Sequence, residues 1–308
     1  MSLGTIFEKF ITIPADVLDK FKWARYTLKH EYLCAGQKCR NVMGSRAERM
    51  TRMATIEIKM LGGFEIRMNG KPVLAQLAQS RKATALVQYL VLRRGERVSH
   101  KVLTDTLWAG ERSTNPDMAL RAILHRFRLM IDAEGLEEMK DCIVTSRGYY
   151  QWNPHLDCSV DVFEVNDLSE LARKESDAEK RSRIYEQIVN LYDGRLLPQS
   201  ASEPWVESVS VRLHGQYRTA ILNLLELCKK WGESTRIVTL CTRALELDPY
   251  EERLYLEKIV ALETLGRHEE AEDLARRGSA MGCLHHAIEP GRAGSAYRQM
   301  RQADRNME

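Results

Sequence analysis

From Thr114 to Asp132 the apolar positions of the chain recur at helical spacing. At about 100° per residue, Leu120, Leu124, Phe127 and Ile131 fall in one narrow arc, with Ile123 beside it. That arc is a core stripe. Met118, Arg121 and His125 lie on the remaining face, Arg128 at its near margin and Arg126 on its far flank. Directly afterwards, Cys142 to Trp152 predicts two short strands joined around Arg147-Gly148. A basic helix followed by a small β-wing is a device for placing side chains in a DNA groove.

The preceding pattern predicts what supports that helix. Ile56, Ile58 and Met60 alternate with polar residues. Phe64, Ile66 and Met68 repeat the alternation after Gly62-Gly63, and Asn69-Gly70 is a hairpin turn leading into Lys71-Pro72-Val73. A small antiparallel sheet is expected. Ser80 then caps a helix that turns Ala83, Leu86, Val87, Leu90 and Val91 inward and stops near Gly95. Ser99 caps a shorter helix with Val102, Leu103, Leu107 and Trp108 inward. Residues 109–115 read as a loop, Pro116 fits the first turn of the basic helix, and residues 155–164 read as a junction. Further upstream, residues 14–33 predict an amphipathic helix and residues 35–52 a basic linker.

From Val160 onward the pattern is helical, and it repeats. Gly232 and Gly266 are 34 residues apart. At the same offset Leu222 matches Leu256, Leu225 matches Ile259, Cys228 matches Leu262, Ile237 matches Ala271, and Leu240 matches Leu274. A period of 34 with these positions predicts helix pairs of the tetratricopeptide kind. Two earlier helices, at about 176–192 and 204–231, read as a degenerate unit of the same sort. The expected fold is therefore an α+β winged helix followed by an all-α helical-repeat domain.

Composition sharpens this. The chain has 308 residues, 44% of them hydrophobic, and a net charge of +3. Lys and Arg outnumber Asp and Glu by 10 to 5 over residues 1–52 and by 15 to 12 over 53–157, but are outnumbered 21 to 26 over 158–308. The front half suits a polyanion and the back half does not. The seven cysteines are scattered, with no secretory start and no long apolar run, so a reduced, soluble, cytoplasmic protein without a membrane partner is expected. His30, Cys34 and Cys39, and Cys283 beside His285 and His286, lack the paired spacing of a structural zinc site. No nucleophile elbow or phosphate-cradling glycine loop is visible, so neither catalysis nor a metal or cofactor is expected.

Arginine suits groove contact because its planar fork can take guanine O6 and N7 together, or phosphate oxygens. Arg121, Arg126 and Arg128 are the expected main contacts, with Met118 and His125 on the same face. Ser113 and Thr114 lie at the helix start, where backbone N–H groups favour phosphate. Thr145, Ser146 and Arg147 at the wing tip face the adjacent minor groove. Arg81, Lys82 and Lys101 are candidate backbone contacts, although Arg81-Lys82 reads better as an ordinary helix start than as a DNA contact. Basic residues opposite an apolar stripe are usually just a solvated face. The sheet, the helix pair and the wing around this one point to DNA instead.

These blocks resemble a known layout. LGGFEIRMNGKPV, SRKATALVQYLVLRRGERVSHKVLTDTLW, ALRAILHRFRLMI and SRGYYQW look like an OmpR-type winged helix. Followed by VDVFEVNDL, LYDGRLLP, EPWVESVSVRL and a tetratricopeptide-like array, they resemble the SARP family of bacterial transcriptional activators. The resemblance implies an extension over 1–53, a DNA-binding winged helix over 54–157 and a bacterial transcriptional activator domain over 158–303. It implies a homodimer on promoter DNA that recruits RNA polymerase. Ala109, Gly110, Glu111, Arg112 and Ser113 match the family's polymerase-contacting loop, and His125 to Arg128 its recognition segment. Residues 1–52 have no counterpart, no receiver domain or P-loop is present, and residues 282–286 end the last repeat oddly. The rival expectation is an adaptor whose winged helix binds protein, since helical-repeat arrays do so.

Overall fold

The computed structural model describes residues 55–109 and 115–284. The expected elements at 14–33 and 35–52, the candidates Gly110, Glu111, Arg112, Ser113 and Thr114, and His30, Cys34, Cys39, His285 and His286 lie outside those residues. Strands β1 (Ile56–Lys59), β2 (Glu65–Met68) and β3 (Lys71–Val73) form the expected meander. Asn69 and Gly70 both take positive φ, 53° and 75°, as a tight two-residue hairpin turn demands.

Helix α1 (Arg81–Leu92) starts where the Ser80 hydroxyl accepts from the Ala83 N–H, and α2 (His100–Leu107) where Ser99 accepts from Val102. Helix α3 (Pro116–Ala133) is capped by the Asn115 side chain, which accepts from Met118. Val102 corrects an expectation, because it is 44% exposed. An eight-residue helix buries one narrow arc, here Leu103, Thr104 and Leu107, and Val102 lies about 100° from Leu103.

Strands β5 (Ile143–Ser146) and β6 (Tyr149–Trp152) are the wing. Two strands were not legible in the sequence. Strand β4 (Val98–Ser99) pairs with β6 and makes the wing three-stranded. Strand β7 (Cys158–Val160), inside the expected junction, runs parallel to β1 and completes a sheet of order β3-β2-β1-β7. Both are too short to show an alternation.

Six helices follow: α4 (Asp161–Lys174), α5 (Ala178–Leu191), α6 (Pro204–Trp231), α7 (Ser234–Leu247), α8 (Glu252–Thr264) and α9 (His268–Ala280). Gly232 and Gly266 end equivalent helices at φ 71° and 73°, the left-handed position that favours glycine. Leu225, Cys228, Ile259 and Leu262 are buried where the repeat places them, and Leu222 and Leu240 are half-buried. Between α6 and α8 a charge cluster fixes the stacking. Lys229 Nζ lies 2.7 Å from buried Glu257 and 2.8 Å from Glu226, which also pairs with Arg253 at 2.9 Å. The odd end of the last repeat has a packing reason. Gly282 turns the chain at φ 70°, and Cys283 and Leu284 bury themselves, Leu284 against Gly278.

The front sheet and the helices share one continuous core, running from Ile56 through Phe127 and Val162 to Ala261. Their joint is also polar and specific. The Asp161 carboxylate accepts from the Met60 and Leu61 N–H groups at 2.7 and 2.8 Å, and from Val162. Burial pushes this carboxyl up, against the downward pull of those N–H groups. Gly62 donates to the Arg195 carbonyl and Leu197 donates to that of Met60. Tyr89 meets Trp205 edge to face with centroids 5.4 Å apart, and the Arg94 guanidinium lies over Phe163 and pairs with Asp167. The winged helix is therefore seated on the array, not strung from it.

Candidate nucleic-acid interface

Helix α3 buries Leu120, Leu124, Phe127 and Ile131 to 5% exposure or less. Each such side chain contributes about 1.5–3 kcal/mol, so the orientation of the helix about its own axis is firmly set. The opposite arc then has to face outward. Met118, Arg121, His125, Arg126 and Arg128 are all exposed. Among the described residues none of Arg121, Arg126, Arg128 and Arg147 sits within ion-pair distance of a carboxylate.

The wing stands beside that arc and is tied to it. The Arg128 guanidinium donates to Thr145 Oγ1 at 3.2 Å. Arg147 and Gly148 form the tip with φ of 48° and 81°, and Thr145, Ser146 and Arg147 are exposed. Beneath, burial pushes the Cys142 thiol up to about 12, while the nearby Arg128 charge pulls it down. It is a packing thiol, not a nucleophile.

Two residues of this face were missed by sequence reasoning. Arg97 lies over the half-exposed Tyr149 ring, 4.7 Å from its centroid, and adds a cation at the base of the wing. His100 is the second. Its Nε2 is 2.6 Å from Asp117 in the first turn of α3, its Nδ1 is 3.2 Å from the Tyr150 hydroxyl, and its backbone N–H donates to the Gly148 carbonyl. One side chain thus joins α2, α3 and the wing. No spacing in the sequence announces either contact, because both depend on strand β4 bringing Arg97 and His100 beside β6. His100→Ala is expected to speed amide hydrogen exchange across β5 and β6 about tenfold, read by mass spectrometry, with little change in α1.

Other cations are used internally. Arg81 pairs with Glu203 at 3.4 Å. Lys82 donates to the Leu107 carbonyl at the end of α2 and lies 5.6 Å from the Trp108 ring centroid. Lys101 and Ala109 are exposed. No described helix is long and apolar enough to cross a membrane.

Comparison with known proteins supports the overall architecture. Residues 160–293 match the bacterial transcriptional activator domain. Regulatory protein AfsR of Streptomyces coelicolor is 26% identical over 216 residues, covering 69% of this chain and 20% of AfsR, so the chain spans about a fifth of that relative. Among solved structures, EmbR of Mycobacterium tuberculosis, in complex with a low affinity phosphopeptide, aligns with a TM-score of 0.57 at 20% identity. The match covers 81% of this chain and 66% of that one, and it shows the fold. The chain thus sets a winged helix in front of a region similar to the bacterial transcriptional activator domain.

Proposed function

We propose that the chain is a transcriptional activator that reads promoter DNA. Helix α3 enters the major groove, with Arg121, Arg126 and Arg128 as main contacts, Met118 and His125 on the same face, and Thr114 as a further DNA contact. Thr145 and Arg147 of the wing hold the adjacent minor groove or its phosphates. The loop Ala109, Gly110, Glu111, Arg112 and Ser113 meets RNA polymerase. In this division of labour residues 54–157 bind DNA, and residues 158–303 pair two copies of the chain or sense a signal.

One observation carries the reading: three arginines project from the side of a helix whose other side is locked in the core, and no described carboxylate neutralises them. A solvated face has no need of a three-stranded wing tethered beside it by Arg128 and His100.

Neutralising phosphates releases counterions, so duplex binding weakens with salt at a log–log slope near −0.9 per phosphate contacted. A mobility-shift titration of the full chain on duplex DNA is expected to give a slope of about −4 or steeper. A flat salt response, or no shift, would favour the adaptor reading, in which the winged helix docks a protein.

A further inference from the structure

The outward face of α3 is not uniformly polar. Met118 is 67% exposed, Leu129 is 52% exposed, and Ala122 between them is exposed as well. At helical spacing these three lie within about 40° of one another, opposite the buried arc. His125 adjoins Met118 on one side, with Arg121 and Arg128 beyond it, and Arg126 lies on the other side. Water gains nothing from an apolar ridge set among basic side chains.

A major groove complements such a ridge. Its walls are phosphates, and its floor carries one apolar feature, the C5-methyl of thymine. Resting on the DNA-binding reading above, we propose that Met118 and Ala122 read thymine methyl groups on the groove floor. Four helical residues advance about 6 Å, and one base pair about 3.4 Å, so the two thymines lie about two base pairs apart. The arginines hold the walls while the ridge selects the sequence between them. Leu129 lies about 10 Å beyond Ala122, past the N-terminal part of a recognition helix that reaches base edges. A methyl contact has a property no hydrogen bond shares. It separates thymine from uracil, whose pairing edges are identical.

The test uses the full chain and duplexes enriched by it from a randomised pool. Each thymine of an enriched duplex is replaced in turn by deoxyuridine, and the dissociation constant is measured for wild type and Met118→Ala. One buried methyl is worth about fourfold in affinity. We expect two thymines, about two base pairs apart, at which wild type weakens about fourfold on losing the methyl. Met118→Ala loses its sensitivity at one and keeps it at the other, which also shows that the variant is folded and seated. Met118→Leu restores the lost sensitivity.

The inference is overturned if enriched duplexes contain no thymine whose methyl matters, or if Met118→Ala keeps every deoxyuridine penalty. If no duplex is enriched at all, the DNA-binding reading itself falls, and a protein groove becomes the occupant of the ridge. The two failures are therefore told apart by whether enrichment occurs.

Discussion

Replacing Arg121, Arg126 and Arg128 together by alanine is expected to weaken duplex binding about a thousandfold while leaving the fold intact. A base-contacting arginine is worth about 1–3 kcal/mol, and a phosphate-contacting one lowers the salt slope by about one. Three of them lost from one helix face amount to about 4 kcal/mol. None of the three supports the core, because the burial of α3 rests on Leu120, Leu124, Phe127 and Ile131. The expected result is a binding loss with a shallower salt slope and an unchanged urea midpoint. Undiminished affinity in the triple variant would sink the site assignment. A collapse of stability would mean that Arg128, through Thr145, holds the wing more firmly than one hydrogen bond suggests.

The second large effect concerns the joint. Gly62 sits at φ 76°, and a Cβ there would collide with the Asp193 carbonyl oxygen and lie 3.0 Å from its carbon. Gly62→Ala therefore combines backbone strain of about 1–2 kcal/mol with an overlap against backbone that cannot swing aside. We expect a loss of about 4 kcal/mol in urea unfolding and early proteolysis between β1 and the segment around Asp193. Gly70→Ala is the matched control. Its φ is 75° but nothing lies within 4 Å of the added carbon, so it carries the strain without the collision.

The elements that were legible in the sequence are those with a long period or a local cap. Helix α3 announced itself by four apolar positions over three turns, and α1 and α2 by Ser80 and Ser99. The 34-residue offset exposed the array, because each repeat must bury the same face against its neighbours. Strands β4 and β7 were not legible, since two or three residues carry no alternation and their partners lie far away in sequence. Val102 was misread because a helix of two turns has no room for a broad apolar face.

The same limit governs the site. The outward arginines follow from periodicity alone, since burying one arc exposes its opposite. His100 and Arg97 do not, because their roles come from cross-strand neighbours. Nor does the joint follow. Residues 155–164 read as a passive connection, and they supply both β7 and the Asp161 carboxylate that grips Met60 and Leu61.

That grip makes the two halves hard to separate. A protein cut after Asp157 would leave β1 with a bare edge and strip its shelter from Tyr89. Such a fragment should be sticky and short-lived, not a miniature of the whole. The array also acts as a protractor. If two copies join through it, the angle and separation of their reading heads are inherited from the pairing, and with them the distance between half-sites that a promoter must match.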